Sequence, residues 1–403
     1  MTKLAQDDSW PDELRQILLS AAAFLLVILG TILAARALDT TTGAETASIA
    51  PAAQDTAPVS IDGRYLFSGT IVWDRGIEEG ATDQYGALDP AQPFSQLDTY
   101  EPEKYNAWIA DLECPIAAED VPPEIGYSTF EFNCRQEFLP EAARYFDVFN
   151  LANNHSGNSG REKLEETHEV LGYQNVQFFG DPDPSIRNST CEVVGLPVTE
   201  NYTDGTEREQ FLPVAFCAWH YFFRTPEPGE IEVIKQYADV MPVFAFVHMG
   251  AEYQAQSTSI QKQVARRLID NGADFVIGNN PHWVQEAEEY KGKLIVYSTG
   301  NFIFDQRRNS EVSRNVNIDV SVNAPYDLDL EQWLEFGQSC MTYQDACLER
   351  ATQLGLKRID LSYAFAPVAG DMSGVASRRA DQTIQTAVEE RLNWEAVSSS
   401  LSY

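Results

Sequence analysis

The sequence predicts an α/β domain with mixed sheets flanked by helices. Short apolar runs typical of buried strands recur along the 403 residues, and segments with a helical spacing of apolar residues lie between several of them. Parallel strands need crossover connections of helix length, so this alternation indicates a sheet covered by helices. Two further segments with antiparallel character predict a second sheet or an extended edge.

The individual elements follow from local pattern. Strand character is found in Arg64–Ser68, Ala107–Leu112, Phe146–Leu151, Val176–Phe179, Val243–Val247, Asp274–Ile277 and Leu294–Tyr297. Helical spacing is found in Arg161–Leu171, Glu230–Tyr237 and Ile260–Asp270. The last helix is the clearest, because Ser259 offers an N-cap and Gly272 a stop signal. A turn at Thr203–Gly205 predicts a hairpin, and the alternating run Val316–Val322 predicts another antiparallel strand.

The first sixty residues are expected to be separate from the folded domain. Ile17–Ala35 comprises 19 residues without a charge, and as a helix it would span roughly 28 Å, close to the thickness of a bilayer core. A cleaved signal peptide is the alternative, but the length of the run and the acids before it favour an uncleaved anchor. We therefore expect a short cytoplasmic tail (1–16), a transmembrane anchor (17–36) and a flexible spacer (37–60) rich in Ala, Thr, Ser and Pro.

The remainder is expected to form a domain at residues 61–322, with an acidic insertion and C-terminal segment (323–403) packed on it. The anchor predicts a single-pass protein of the cell membrane whose C-terminal domain is extracytoplasmic. The formal charge of −33 and pI near 4.3 exclude nucleic acid as a probable class of partner, because like charges repel. An anionic polymer would be repelled at long range unless a basic patch or bound cations met it.

Six cysteines, an even number, indicate disulfides in a domain exported to an oxidising compartment. The expected pairs are Cys191–Cys217 across the hairpin, Cys114–Cys134 around an insertion and Cys340–Cys347 around a short loop. Buried free thiols are the alternative.

Polar side chains able to bind a divalent metal follow several predicted strands. They are Glu113, Asn154, His248 and His282, and His155 beside Asn154 is suited to protonate a leaving group. The carboxyl ends of strands in an open α/β sheet meet at one edge, so we expect these side chains to converge on a single pocket. Each of them alone could equally be a hydrogen-bonded loop residue.

Six stretches resemble, in order and spacing, the motifs of the CapA family: LFSGTIVWDR, ADLECPI, VFNLANNHSGNSG, FVHMGAEY, QVARRLIDNGADFVIGNNPHWVQ and YSTGNFIFDQ. That family is named for poly-γ-glutamate capsule synthesis and is related to calcineurin-like metallophosphoesterases. The resemblance runs from about Tyr65 to Gln306. It implies a metallophosphatase-like sandwich of two mixed β-sheets flanked by helices, held outside the cell by an N-terminal transmembrane helix.

Three site positions differ from the family's motifs. Thr70 and Asn158 stand where the family has Asp, and Asn280 stands where it has His. Two divalent ions bring four positive charges, and Glu113 would be the only anionic side chain left at the matched positions to bind them directly, which disfavours a two-metal centre. We expect at most one ion (Mn, Zn, Mg or Fe) or none. It would be held by Glu113, Asn154 and His248, with the Asn280 carbonyl as a further ligand. His282 and Thr70 would line an empty neighbouring position.

Four further residues are predicted to contact a substrate. Arg75 matches the arginine of the family's first motif and would meet an anion. Glu252 and Tyr253 follow His248, and a packing or capping role is their alternative. Asn301 lies in the turn after a strand, where it could instead support the site through a hydrogen bond.

Two functions remain open at this point. The first is a membrane-anchored CapA-like protein that assists synthesis, export or attachment of an anionic envelope polymer such as poly-γ-glutamate, with membrane-bound synthase subunits as partners and a degenerate metal site. The alternative is an active metal-dependent hydrolase, a phosphoesterase or an amidase, that acts on an envelope polymer with His155 as general acid. The replacements at Thr70, Asn158 and Asn280 leave open whether the chain is an enzyme.

Overall fold

The computed structural model describes residues 56–402, apart from 120, 184, 223, 228, 307, 308 and 343. The predicted tail, the anchor and residues 37–55 of the spacer lie outside the described residues. Within the described part, no helix combines the length and the apolar character that a membrane span requires. The first strand begins at Pro58, before the expected domain start at Ile61.

The strands of the described chain form one hydrogen-bonded network. They are β1 (Pro58–Ile71), β2 (Ala107–Leu112), β3 (Val148–Asn150), β4 (Gln177–Phe179), β5 (Cys191–Tyr202), β6 (Glu207–His220), β7 (Val243–His248), β8 (Phe275–Asn279), β9 (Ala287–Tyr290), β10 (Lys293–Val296), β11 (Asn301–Ile303), β12 (Arg314–Pro325), β13 (Ser362–Ser373) and β14 (Ala376–Arg379). The main path is β14-β13-β12-β1-β5-β6-β7-β8-β10-β9, and β2, β3, β4 and β11 branch from β1. Parallel and antiparallel pairs both occur, so the expected mixed α/β sheet is confirmed.

Strand β1 connects two layers. Its first half pairs antiparallel with β5 and β12, and its second half pairs parallel with β2 and β11. The ring of Phe67 in β1 lies 5.3–6.4 Å, between centroids, from Phe216, Phe244, Phe246 and Phe275 of β6, β7 and β8. The two arms of the network therefore pack face to face. The strand pairing gives one network rather than the two separate sheets that were predicted, and its two arms are joined through β1.

The helices are α1 (Gly76–Ala81), α2 (Pro123–Thr129), α3 (Leu139–Ala142), α4 (Arg161–Tyr173), α5 (Lys235–Ala238), α6 (Ser259–Asp270), α7 (Leu328–Thr342), α8 (Gln344–Leu354), α9 (Gln382–Leu392) and α10 (Trp394–Ser398). Helix α6 has the expected extent, but its N-cap is Thr258 rather than Ser259. The Thr258 side chain accepts a hydrogen bond from the Gln261 backbone, and the Gln261 side chain accepts one from the Thr258 backbone, which together form a capping box.

The predicted helix Glu230–Tyr237 is wrong in its first half. A 3-10 turn covers Glu232–Ile234, and only the short α5 follows it. The carboxylate of Glu230 binds Arg224 at 2.6 Å and accepts the backbone N–H of Glu227 at 2.7 Å. These contacts close a turn where the first helical turn was expected.

The C-terminal segment is part of the sheet and does not merely pack on the domain. Strand β12 continues past Val322 to Pro325 and pairs with β13 over ten residue pairs, from Arg314↔Asp371 to Asn323↔Ser362. Helices α7 and α8 cover β5 and β6. The acidic insertion therefore supplies helices for one layer, and the segment after it supplies an additional strand.

All three predicted disulfides are formed, between Cys114 and Cys134, Cys191 and Cys217, and Cys340 and Cys347. Cys191 and Cys217 are directly opposite in the β5–β6 register, as the hairpin predicts. The Cys114–Cys134 bond closes a loop that ends in Phe132, Asn133 and Cys134, all buried. This loop packs against the site described below.

Two helical glycines give a matched test of the packing of α7. A Cβ on Gly337 would lie 1.6 Å from the carbonyl oxygen of Phe211 in β6, whereas a Cβ on Gly172 in α4 would meet nothing within 4 Å. We expect Gly337→Ala to lower the free energy of unfolding by about 1–3 kcal/mol, because α7 must move off β6. Gly172→Ala should raise it by about 0.5–1 kcal/mol. Urea denaturation of both variants measures this, and equal shifts would contradict the packing.

Candidate functional site

The predicted site residues meet where the carboxyl ends of strands from both layers come together. Glu113 follows β2, Asn154 and His155 follow β3, His248 ends β7 and Asn280 follows β8. Glu113, His248 and Asn280 are buried, and His155 is largely buried. Distances of 2.8–4.0 Å between polar atoms join Glu113, Asn154, His155 and His248 into one cluster, as expected for these four residues.

His248 lies at the centre of the site and has no exposed surface. Its Nδ1 is 3.0 Å from Asp111 Oδ2, and its Nε2 is 2.8 Å from Asn154 Oδ1. Burial lowers the pKa of His248, but the charge of Asp111 and the hydrogen bond to it outweigh this effect, so the pKa is raised. Both partners are acceptors, so an imidazolium with a proton on each nitrogen satisfies both of them.

Asp111 is a second buried carboxylate of the site, and the sequence analysis gave it no role. It contacts His248 Nδ1 and lies outside the set of possible metal ligands formed by Glu113, Asn154 and His248 Nε2. The Oδ1 of Asp111 accepts hydrogen bonds from Asn150 at 2.9 Å and Asn153 at 3.1 Å, and its Oδ2 accepts one from Thr70 at 3.4 Å. The available signal was spacing: Asp111 lies two residues before Glu113, and side chains two apart in a strand point to the same face.

Glu113 is fully buried, and neither carboxylate oxygen has a hydrogen-bond partner among the described residues. Its Oε1 is 3.7 Å from His248 Nε2 and 4.0 Å from His155 Nε2. Burial raises the pKa of Glu113 to about 8, although the charge of His248 acts in the opposite direction. A buried carboxylate without hydrogen bonds is rare and needs a proton or a cation beside it.

His155 is held by Phe132 and Asn158. Its ring stacks on Phe132 at 4.1 Å between centroids, and its Nδ1 is 3.0 Å from Asn158 Oδ1. The same Asn158 oxygen accepts the Phe132 backbone N–H at 2.9 Å. Burial lowers the pKa of His155 to about 4, so the imidazole is neutral at pH 7. A neutral imidazole of low pKa is a weak general acid, and the amide of Asn158 offers it no negative charge.

Asn280 and His282 follow β8, the strand that pairs with β7. His282 Nδ1 is 2.7 Å from Asn301 Oδ1, and burial lowers the pKa of His282 to about 3. Asn280 donates to the Gly250 carbonyl at 2.6 Å, while its own buried Oδ1 has no hydrogen-bond partner in the described chain. Asn301 thus orients His282 through a hydrogen bond. His282 is linked to His248 and His155 through charge rather than through a direct hydrogen bond.

Two oxygen donors lie within 4 Å of His248 Nε2. Glu113 Oε1 is 3.7 Å from this nitrogen and Asn154 Oδ1 is 2.8 Å from it. Ligands about 2.1 Å from a shared ion are roughly 3–4 Å apart, so Asn154 would move slightly away from His248 to share an ion with it. No group of three or more His, Cys, Asp or Glu side chains that could hold a metal occurs among the described residues. The donor set is therefore one carboxylate, one amide and one imidazole, and it fits an ion only when His248 gives up its Nε2 proton.

The predicted substrate residues divide between the site and a neighbouring cleft of about 650 Å³. Glu252 is half-buried, and burial raises its pKa while the charge of His248 lowers it. Arg75 and Tyr253 line the cleft. Arg75 is not available as a free cation, because its Nη2 binds Asp305 at 2.5 Å.

The family comparison agrees with the geometry. Residues 64–306 match the model of the family described as bacterial capsule synthesis protein PGA_cap. The PGA biosynthesis protein CapA of Bacillus subtilis is 33% identical over 170 residues, which is 40% of this chain and 43% of that protein. The capsule biosynthesis protein CapA of Bacillus anthracis is 29% identical over 178 residues, 40% of this chain and 41% of that one.

A more distant relative is a probable polyglutamine synthesis accessory protein of Mycobacterium tuberculosis, 26% identical over 168 residues, which cover 38% of this chain and 44% of that protein. The matched part thus spans less than half the length of these relatives. Among solved structures, the calcineurin-like phosphoesterase YfkN of Bacillus subtilis aligns with 13% identity and a TM-score of 0.37, covering 73% of this chain and 99% of that one.

The two phenylalanines of the loop beside His155 provide a test of its packing. Phe132 is buried between His155 and the Arg75 guanidinium, whereas Phe130 is 62% exposed. We expect Phe132→Ala to lower the free energy of unfolding by about 3–5 kcal/mol because of the cavity it leaves. Phe130→Ala should change it by less than about 1 kcal/mol. Denaturant unfolding compares them, and a small effect of Phe132→Ala would show that the loop does not pack as described.

Proposed function

This chain belongs to the bacterial capsule synthesis protein PGA_cap family, whose model matches 64–306 of its 403 residues, and we propose that it assists the synthesis, export or attachment of an anionic cell-envelope polymer such as poly-γ-glutamate. The family match is the observation that carries this proposal. The relatives named for poly-γ-glutamate and capsule biosynthesis support it. The partners under this proposal are the polymer itself and membrane-bound synthase subunits.

The proposal includes a location outside the cytoplasmic membrane. Residues 17–36 would anchor the chain as a single span, and the domain that begins at β1 would be extracytoplasmic. Three disulfides and no free cysteine among the described residues support this, because disulfides persist in oxidising compartments. The spacer would hold the domain at a distance from the membrane surface.

The proposal also includes a metal site reduced to one ion or none. The side chains at the three altered positions make other contacts: Thr70 donates to Asp111, Asn158 holds His155 and Phe132, and Asn280 donates to Gly250. None of the three brings a charge that would offset a second cation. Glu113, Asn154 and His248 would hold a single ion, and the site would then serve binding rather than hydrolysis.

The hydrolase reading remains a second candidate because Glu113 Oε1, Asn154 Oδ1 and His248 Nε2 converge beside His155. When bound, a divalent ion would polarise a phosphoryl or carbonyl oxygen. Glu113, Asn154 and His248 would orient it, and the neutral His155 would present its Nε2 toward the same point. If the chain is a hydrolase, His155 would exchange a proton with the substrate. The low pKa of His155 would make this proton transfer inefficient near pH 7.

Metal content tests the reduced site. The purified chain is expected to bind at most one Mn²⁺ or Zn²⁺ in equilibrium dialysis followed by elemental analysis. The variant Thr70→Asp/Asn158→Asp/Asn280→His should bind close to two, because it regains two carboxylates and one imidazole. Glu113→Gln should abolish binding in both backgrounds. Two tightly held ions in the unmodified chain would refute the proposal of a reduced site.

Complementation in cells separates the two functions. Deletion of the gene is expected to reduce the surface polymer severalfold, measured by polymer extraction and glutamate analysis. The control variant is His168→Ala, because His168 lies on α4, outside the site. If the role is accessory binding, the His155→Ala variant should restore the polymer to the same level as this control. If only the control restores the polymer, and the unmodified chain cleaves phosphoesters or poly-γ-glutamate with added Mn²⁺, the hydrolase reading replaces the accessory one.

A further inference from the structure

We propose that the cleft beside the site, lined by Tyr127, Phe130, Tyr253 and Trp283, binds an uncharged saccharide segment of a cell-envelope glycan. This binding site goes beyond the polymer role proposed above and does not depend on it. Neither the family match nor the donor set around His248 requires it. The inference rests on the surface, the unpaired donors and the charges of the cleft itself.

The cleft exposes aromatic surface that folding would normally bury. Phe130 is 62% exposed, Tyr127 46% and Tyr253 44%. Its volume of about 650 Å³ is typical of a small-molecule site. Aromatic rings with exposed faces provide a large, rigid contact area at a low cost in conformational entropy. The C–H faces of a pyranose ring are flat and apolar, and they stack on such rings.

Polar groups between the rings lack partners. Arg75 is 5% exposed, and its Nε has no hydrogen-bond partner in the described chain. The Nε1 of Trp283 is likewise buried without a partner. Each of these donors needs an acceptor, because an unpaired buried N–H is destabilising. Arg75 and Trp283 line the cleft together with Gln306 and Asn309. A sugar hydroxyl both accepts and donates, so it matches the chemistry of these N–H groups and side-chain amides.

The charges at the cleft favour an uncharged ligand. The guanidinium of Arg75 pairs with Asp305 at 2.5 Å. Arg391, whose guanidinium lies 5.6 Å from the Trp283 ring centre, pairs with Glu311 at 2.6 Å. These cations are already neutralised, and the chain as a whole carries −33. A polyanion would therefore gain little electrostatic attraction from these cations, whereas the binding of a neutral saccharide does not depend on such attraction.

The backbone holds the cleft in a fixed shape. Arg75, Phe130 and Tyr253 adopt left-handed φ angles of 49°, 59° and 57°, a conformation that costs a non-glycine residue about 1 kcal/mol or more. The Tyr253 backbone is secured by a hydrogen bond from its N–H to the Pro281 carbonyl at 2.8 Å. Such strain persists only where the surrounding structure imposes it, and it orients the rings before any ligand arrives.

The cleft adjoins the site around His248. The rings of Tyr253 and His282 are 6.0 Å apart, and Gln306 accepts a hydrogen bond from Asn301 at 3.4 Å. Asn301 in turn contacts His282. One end of a bound saccharide would therefore lie close to His282.

Isothermal titration calorimetry with the full-length chain in detergent tests the inference. The probes are tetrasaccharides of N-acetylglucosamine and of glucose, a poly-γ-glutamate oligomer and a proline-rich peptide. We expect a tetrasaccharide to bind, and Tyr253→Ala and Phe130→Ala each to weaken it about tenfold or more. Tyr253→Phe should retain most of the affinity. Tyr85→Ala and Tyr173→Ala are the controls, because those rings are 86% and 81% exposed outside the cleft.

Four outcomes would overturn the inference. The first two are that the folded chain binds no saccharide, and that it binds one whose affinity Tyr253→Ala and Phe130→Ala do not weaken. The third is that the chain binds the peptide in a manner that depends on Tyr253. The fourth is that it binds poly-γ-glutamate in a manner that depends on Tyr253 and with an affinity that falls as the salt concentration rises. Polymer production in complemented cells is scored separately, so failure here leaves the accessory role intact.

Discussion

The contact of His248 with Asp111 and Asn154 is the constraint around which the site is arranged. It joins the end of β7 in one layer to β2 and to the residues after β3 in the other. A buried imidazolium is tolerable only beside an anion and with both of its protons bonded, and Asp111 and Asn154 meet both conditions. Glu113 is then the one carboxylate of the site that remains without a partner among the described residues.

The three positions that differ from the family's motifs contribute hydrogen bonds rather than charge. Thr70, Asn158 and Asn280 each make a hydrogen bond that stabilises a neighbouring loop or side chain. None of the three carries a negative charge, so the carboxylates closest to His248 are those of Asp111 and Glu113. Under the proposed single-ion site, a divalent ion and a proton would compete for the Nε2 of His248.

The branching of the sheet at β1 explains why residues from distant parts of the chain meet. Because β1 pairs with β5 and β12 in one half and with β2 and β11 in the other, the layers share a strand, and their ends lie together. The Cys114–Cys134 loop then covers the junction with Phe132, on which His155 stacks. The aromatic cleft lies beside this junction, because Tyr253 is close to His282 and Gln306 contacts Asn301.

The sequence alone determined the features that depend on local spacing. Strand β2 has the predicted bounds, α6 ends where its apolar face ends, and Cys191 faces Cys217 because the hairpin turn sets the register. Motif order likewise placed Glu113, Asn154, His155 and His248 at strand ends. The tertiary structure alone decided the role of Asp111, the loss of the helix at Glu230, the pairing of β13 with β12 and the protonation of His155. Each of these depends on a partner far along the chain, or on burial by one, and local periodicity contains no information about such partners.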